Sequence, residues 1–194
     1  MAEKRIIRGN RRQTRAYIGL GSNVGDRVGY VQQAMQLLKD VPRIKIIECS
    51  SLYETQPTEK NASNWFVNAA AAIETNLTSE ELLDVCKDIE SRLDKLHGTE
   101  FEIKHDALAA DHGKKRIIDL DILFFGDQTI ENEHLKIPHP MVCRRAYALV
   151  PLLEIAPELT HPLSKKSVSQ LHEELPEPEL VYLYGTRETE IGSG

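Results

Sequence analysis

The sequence lacks the features of several large protein classes. Only three cysteines occur, none in a Cys-x-x-Cys pair, which predicts buried apolar thiols in a reducing compartment. No apolar run is long enough to cross a membrane. The net charge of −6 argues against nucleic acid as a partner, because nucleic-acid-binding proteins usually carry a basic face. The 194 residues, 41% of them hydrophobic, therefore predict one soluble domain, which we expect to be cytoplasmic.

A phosphate-binding glycine loop is also absent. The first predicted strand, Ala16 to Leu20, is followed by Gly21-Ser-Asn-Val-Gly-Asp26. The glycines are spaced neither as in a Walker A loop nor as in a dinucleotide-binding fingerprint, and no Gly-Lys-Ser/Thr follows them. Any nucleotide would therefore have to be bound through a metal or a local basic cluster.

The most informative stretch runs from Arg116 to Phe125, where apolar residues alternate with charged ones and then become continuous. This pattern is typical of a strand, in which residues two apart project to the same face. Asp119 and Asp121 should then lie side by side, although aspartate is a poor strand former. A divalent cation such as Mg²⁺ would relieve the repulsion between the two carboxylates. The alternative is an exposed strand face with two solvated acids.

Elsewhere, hydrophobic periodicity alternates between strand and helix types. Helices are predicted from Asp26 to about Val41 and after the capping box Thr78-Ser-Glu-Glu81, with Leu82, Cys86, Ile89, Leu93 and Leu96 on the buried side of the second helix. Further strands are predicted at Ile44 to Tyr53 and Trp65 to Thr75. The order strand, helix, strand, strand, helix, strand indicates an α+β protein with a ferredoxin-like antiparallel sheet and helices packed on it.

Most of the sequence is predicted to form one domain. Residues 1–15 are expected to form a disordered arm, residues 16–184 one domain, and residues 185–194 a flexible tail. A helix is predicted from Cys143 to Glu154 and a last strand from Leu180 to Tyr184. The polar segment from His97 to Lys115 has no periodicity, and a loop of that length is usually functional or disordered.

Read together, several motifs resemble one family, the 6-hydroxymethyl-7,8-dihydropterin pyrophosphokinases of the folate pathway. The matching motifs are Ala16-Tyr-Ile-Gly-Leu-Gly-Ser-Asn23, Ser51-Leu-Tyr-Glu-Thr-Gln-Pro57, Phe66-Val-Asn-Ala-Ala70, Arg116-Ile-Ile-Asp-Leu-Asp-Ile-Leu123, Ile137-Pro-His-Pro140 and Pro151-Leu-Leu-Glu-Ile-Ala-Pro157. The resemblance implies transfer of the terminal pyrophosphoryl unit of ATP to the hydroxymethyl group of the pterin, leaving AMP. It also implies two Mg²⁺ ions, held by Asp119 and Asp121, that bridge the ATP phosphates.

The resemblance assigns further roles by position. The pterin-binding residues would be Thr55, Thr58, Phe66, Asn68 and Tyr147. The ATP-binding residues would be Glu90, Arg116, His139 and Arg145. Arg116 and Arg145 would join the two aspartates as catalytic residues. Structural alternatives exist for single residues: a core position for each aromatic, a satisfied strand-end amide for Asn68, and a solvated helix acid for Glu90.

The sequence departs from the family pattern in the loop before the Asp-x-Asp strand. Neither arginine of the usual Gly-Arg-x-Arg element is present in Leu96-His-Gly-Thr-Glu-Phe101. Lys114 and Lys115 are therefore predicted to supply positive charge to ATP, and residues 97–115 to close over the site when both substrates bind. Two alternatives remain: a non-catalytic relative that binds pterin or docks on another folate enzyme, and a ferredoxin-like regulatory domain. The protein is expected to be a monomer.

Overall fold

The computed structural model describes residues 12–57, 64–105, 117–176 and 178–185, with the side chains of 99–105 and 185 left out. In chain order its elements are β1 (Thr14–Ser22), α1 (Arg27–Lys39), β2 (Ile44–Cys49), β3 (Leu52–Thr55), β4 (Phe66–Thr75), α2 (Ser79–His105), β5 (Asp119–Phe125), β6 (Ile130–Glu131), β7 (Lys136–Ile137), α3 (Ala146–Ile155), α4 (Val168–Glu173) and β8 (Val181–Gly185). The strand β1 begins two residues before its predicted start. The proposed arm and tail fall mostly outside the described residues and stay predictions.

One antiparallel sheet organises these elements. Its strand order is β5-β1-β4-β3-β8, and β2 also pairs with β4. The chain passes from β1 through α1 to the β2–β3 segment, and from β4 through α2 to β5. This is the split βαβ arrangement, so the predicted ferredoxin-like class is confirmed. The strands β6 and β7 form a separate two-stranded sheet.

Helices cover both faces of the large sheet. One face packs against α1 and α2, and its buried residues include Ile18, Leu20, Val31, Leu38, Ile73, Leu82, Cys86, Ile89 and Leu93. The opposite face packs against α3 and α4, around Ala70, Leu123, Phe124, Leu149, Leu152 and Leu171. Leu96 was expected in the buried stripe of α2 but is 65% exposed. None of the helices in the described ranges is long and apolar enough to span a membrane.

The helix starts follow the local capping signals. The Asp26 side chain accepts the backbone N–H of Gly29, which satisfies a free donor at the start of α1. At α2, Thr78 Oγ1 accepts the Glu81 N–H, and a Glu81 side-chain oxygen accepts the Thr78 N–H. The predicted capping box is therefore present.

The end of α2 differs from the prediction. The helix continues to His105, whereas residues 97–115 were expected to form a loop. Gly98 lies inside the helix, where a single glycine costs only about 1 kcal/mol relative to alanine. Residues 106–116 lie outside the described part of the chain, so closure of this segment over the site stays a prediction.

The predicted strand Ile44 to Tyr53 is divided into β2 and β3 at Ser50 and Ser51. The Ser50 hydroxyl accepts the Ala70 N–H, and the Ser50 N–H donates to the Ala70 carbonyl. A carboxylate of α3, Glu154, accepts the Ser51 N–H at 2.8 Å and the Ser51 and Tyr53 hydroxyls at 3.0 and 2.9 Å. Glu154 therefore connects α3, through three hydrogen bonds, to the segment where β2 ends and β3 begins.

Replacing Glu154 with alanine should lower the free energy of unfolding by about 2–3 kcal/mol, because three part-buried donors would lose their acceptor. Urea denaturation followed by circular dichroism measures this change. The matched control is Glu158→Ala, which alters an exposed glutamate just beyond the same helix. Equal stabilities of the two variants would contradict the bridging role of Glu154.

Candidate functional site

A cavity of about 920 Å³ lies where β1, β3, β4 and β5 meet α2 and the start of α3. Eight of the predicted site residues line this cavity: Thr55, Phe66, Asn68, Glu90, Asp119, Asp121, His139 and Tyr147. They come from five elements and from the loop before α3. The fold therefore gathers residues that are far apart in sequence around one opening.

The floor of the cavity is a row of residues across three neighbouring strands. Gly21 of β1 is the register partner of Asp119 on β5 and of Asn68 on β4, and Gly19 is the partner of Asp121. Adjacent strands are about 4.8 Å apart, so the backbones of Asp119 and Asn68 are separated by roughly 10 Å. Glycine in the middle of the row leaves the space between the carboxylate and the amide free of side chains.

Asn68 is held at one end of this row. Its side-chain Nδ2 donates to Thr55 Oγ1 at 2.6 Å, and both side chains are buried. The remaining amide oxygen lies over Gly21, where an added Cβ atom would be only 2.6 Å from it. Phe66, the residue two positions earlier on the same face of β4, is also within 4.0 Å of that point. The aromatic ring and the amide therefore border the same space.

The acidic pair occupies the other end. Asp119 and Asp121 alternate with the buried residues Leu120 and Ile122, so they share the face predicted for them. His139 Nε2 lies 3.7 Å from Asp121 Oδ1. The Met141 N–H donates to His139 Nδ1 at 3.4 Å, which requires a lone pair on that nitrogen. With Nδ1 accepting this hydrogen bond, Nε2 is the ring nitrogen that can donate, on the side of Asp121.

Glu90 fixes the position of β5 relative to α2. Its Oε1 accepts the Leu120 N–H at 2.8 Å, between the two aspartates, and its Oε2 accepts Lys87 Nζ at 2.8 Å. Burial alone would lower the pKa of Lys87, but the hydrogen bond to Glu90 and the charges of Glu90, Asp119 and Asp121 together raise it. Lys87 is therefore a permanent cation beside the acidic pair.

Lys87 lines the cavity but was not predicted from the sequence, although it precedes Glu90 by three residues and so shares its face of the helix.

The negative charges of the site also affect neighbouring side chains. Burial, followed by the charge of Asp121, raises the pKa of Tyr147. Burial, together with Glu90, raises the pKa of the Cys86 thiol to about 12, which leaves this cysteine an inert core residue.

Arg145 is the one described residue of the predicted set that does not line the cavity. It is the N-cap residue of α3, and its Nη1 donates to Glu179 Oε1 at 3.1 Å. Glu179 also accepts the Ala146 N–H at 2.8 Å. Glu179 lies 34 residues beyond Arg145 in the chain. Its segment carries no sequence motif, so the sequence did not predict this contact.

The remaining predicted residues lie outside the described ranges: Thr58, Lys114, Lys115 and Arg116. Within the described ranges no group of three histidine, cysteine, aspartate or glutamate side chains is close enough to hold a metal ion. Two neighbouring carboxylates without a third protein ligand nevertheless fit Mg²⁺, which usually takes one or two carboxylates and fills its other positions with water and substrate phosphates.

Comparison with known proteins places this chain in a family. Residues 17–157, more than half of the chain, match the family model of 7,8-dihydro-6-hydroxymethylpterin-pyrophosphokinase (HPPK). A 2-amino-4-hydroxy-6-hydroxymethyldihydropteridine pyrophosphokinase of Methylorubrum extorquens is 39% identical over 75% of this chain and 85% of its own length. The enzyme of the same name from Bacillus subtilis is 38% identical over 74% of this chain and 79% of its own length.

Solved structures show the same fold. A crystal structure of Plasmodium falciparum HPPK-DHPS with STZ-DHP superposes with a TM-score of 0.64 at 17% identity. The superposition covers 86% of this chain but only 46% of that longer one. The family model and the two relatives show that the chain belongs to the 7,8-dihydro-6-hydroxymethylpterin-pyrophosphokinase family.

Proposed function

We propose that the cavity is the active site of an HPPK reaction, with the pterin at the Asn68 end and the ATP phosphates at the Asp119 end. Family membership gives the chain a pyrophosphokinase role in folate biosynthesis, with ATP and the hydroxymethyldihydropterin as substrates. The observation that carries the assignment of the site is the row Asp119–Gly21–Asn68 across three strands. It separates an acidic end from an amide end by roughly 10 Å of open floor.

At the pterin end, Asn68 would hydrogen-bond the edge of the ring. A side-chain amide offers both donors and an acceptor, which suits the mixed edge of a pterin. Phe66 and Tyr147 line the cavity beside it and supply aromatic faces for stacking on a flat heterocycle. The hydrogen bond from Asn68 to Thr55 fixes the amide before the substrate arrives, which reduces the entropy lost on binding.

At the phosphate end, Asp119 and Asp121 would hold two Mg²⁺ ions between the protein and the ATP phosphates. Bound there, the ions would neutralise charge on the attacking and leaving oxygens. His139, through Nε2, and the cationic Lys87 would donate hydrogen bonds on the same side. The roles predicted for Lys114, Lys115, Arg116 and Thr58 concern residues outside the described ranges and stay predictions.

The reaction itself needs little covalent help from the protein. The hydroxymethyl oxygen of the pterin forms a bond to the β-phosphorus of ATP, while the bond from that phosphorus to the bridging α,β-oxygen breaks and AMP leaves. The hydroxyl proton is lost to solvent. The chain would contribute by aligning the two substrates on a rigid floor and by stabilising the developing charge.

This proposal also makes Gly21 a residue that determines pterin affinity. Replacing Gly21 with alanine would place a Cβ atom 2.6 Å from Asn68 Oδ1, too close for the amide to keep its position. We expect pterin affinity to fall about tenfold. Fluorescence or calorimetric titration with the pterin measures this loss. Gly98→Ala is the control, since its added Cβ would make only ordinary contacts, with Asp94 and Ile117 at 3.4 Å or more. An equal loss in that variant would contradict the role of Gly21.

The direct test of function is incubation of the protein with ATP, Mg²⁺ and 6-hydroxymethyl-7,8-dihydropterin, followed by separation of the products. We expect AMP and the pterin diphosphate in equal amounts, with no AMP when the pterin is omitted or EDTA is added. Formation of ADP would contradict pyrophosphoryl transfer. Pterin binding without any AMP would instead favour the non-catalytic alternative.

A further inference from the structure

The contact between Arg145 and Glu179 has a use beyond the stability of the fold. We propose that Glu179 is a positioning residue that holds the Arg145 guanidinium ready for the ATP phosphates, an inference that rests on the proposed function. Glu179 lies outside every matched motif, 22 residues beyond the end of the segment that matches the family model.

Glu179 is itself held firmly. Its side chain is only 8% exposed, and its two carboxylate oxygens accept from different donors, Arg145 Nη1 and the Ala146 N–H. The next residue, Leu180, accepts the backbone N–H of Gln56, which lines the cavity. The carboxylate is therefore fixed to the start of α3, and the backbone next to it is bonded to the wall of the cavity.

Arg145 keeps donors for a second partner. The guanidinium has five N–H donors, and the contact with Glu179 engages one nitrogen, Nη1. Arg145 Nε is buried and has no hydrogen-bond partner among the described residues. The side chain as a whole is 35% exposed, and Tyr147, two residues further along, lines the cavity. Because Nε is buried, the two Nη nitrogens are the ones that can contact phosphate oxygens, while the contact with Glu179 fixes the plane of the guanidinium.

Two modes of action are conceivable, and burial decides between them. Glu179 could act as a latch that releases Arg145 when ATP arrives, but release would leave a nearly buried carboxylate with one backbone donor. An uncompensated buried charge is strongly unfavourable. Arg145 is therefore expected to keep its bond to Glu179 and to use its remaining donors on the phosphates.

The first test is the variant Glu179→Gln, whose amide oxygen still accepts the Ala146 N–H but attracts Arg145 less. We expect kcat/KM for ATP to fall about tenfold or more, since misplacing a phosphate-binding group by a fraction of an ångström is costly. Pterin affinity, measured by titration in the absence of ATP, should be unchanged. The control is Glu74→Gln, which alters the partner of Arg15 at the end of β4 remote from Asn68 and should keep normal turnover.

A double-mutant cycle tests whether Glu179 acts through Arg145. Glu179→Gln should cause no further loss of turnover in an Arg145→Gln background, whereas independent effects would contradict positioning. If Glu179→Gln proves unstable by thermal melting, Glu179→Asp serves instead, since it keeps the charge but is too short to reach both donors. An increase in ATP affinity in either variant would indicate a latch and overturn the proposal, as would normal kinetics. Absence of AMP formation by the parent protein would instead refute the proposed function.

Discussion

Replacing Asp121 with alanine is expected to lower kcat by about a thousandfold or more and to leave the melting temperature nearly unchanged. Asp121 supplies one of the two carboxylates proposed to hold Mg²⁺, and the remaining one cannot bind both ions. Its side chain is 38% exposed and opposes Gly19 in the neighbouring strand, so its removal opens no cavity in the core. A coupled assay for AMP, run over a range of Mg²⁺ concentrations, measures the loss.

The matched control is Asp127→Ala, which removes an exposed carboxylate from the turn that ends the same strand. Asp121→Asn is the informative second variant, because it preserves shape and removes charge. Both Asp121 variants should lose turnover in the AMP assay, while the Asp127 variant should keep a normal kcat. Normal turnover of Asp121→Ala in saturating Mg²⁺ would show that the acidic pair does not hold the metal.

The second large effect is expected at the opposite end of the cavity. Asn68→Ala and Phe66→Ala should each weaken pterin binding by about tenfold to a hundredfold, through loss of the amide contacts and of ring stacking. Binding of a non-hydrolysable ATP analogue should change little, because the phosphate end lies two strands away. Calorimetric titration with each ligand separately measures both effects.

Phe66→Leu separates stacking from simple burial, since leucine keeps an apolar side chain but has no aromatic face. Its pterin affinity should lie close to that of Phe66→Ala. Equal losses of pterin and ATP-analogue affinity in the Asn68 and Phe66 variants would mean that these residues support the fold and do not select the ring.

The shared face of Asp119 and Asp121 could be predicted because its signal is local, whereas Asn68 was selected through the family resemblance. The alternation around Asp119 and Asp121 fixed their shared face, and the capping residues Asp26 and Thr78 marked the helix starts. The class of the sheet followed from the order of the periodic segments. These features depend on residues within a few positions of each other, which a sequence pattern can register.

The differences arise from contacts between residues that are distant in the chain. The division between β2 and β3 depends on Glu154, which lies 103 residues from Ser51. The role of Arg145 at the ATP phosphates stays a prediction, but its contact with Glu179 was not foreseen, because no pattern connects the two residues. The exposure of Leu96 has a related cause, because apolar spacing predicts a stripe along a helix but not where the neighbouring elements stop covering it.

The pairing of β1 with a strand on each side restricts the motion of the cavity floor. Gly19 and Gly21 belong to a strand that is paired on both sides, by β4 and β5, along most of its length. Amides in such a strand exchange their hydrogens with solvent only when the protein opens globally. Among the described residues, the floor of the cavity is therefore expected to exchange slowly, and adding substrates should increase hydrogen-exchange protection at the rim, around Gln56 and His139, much more than in β1.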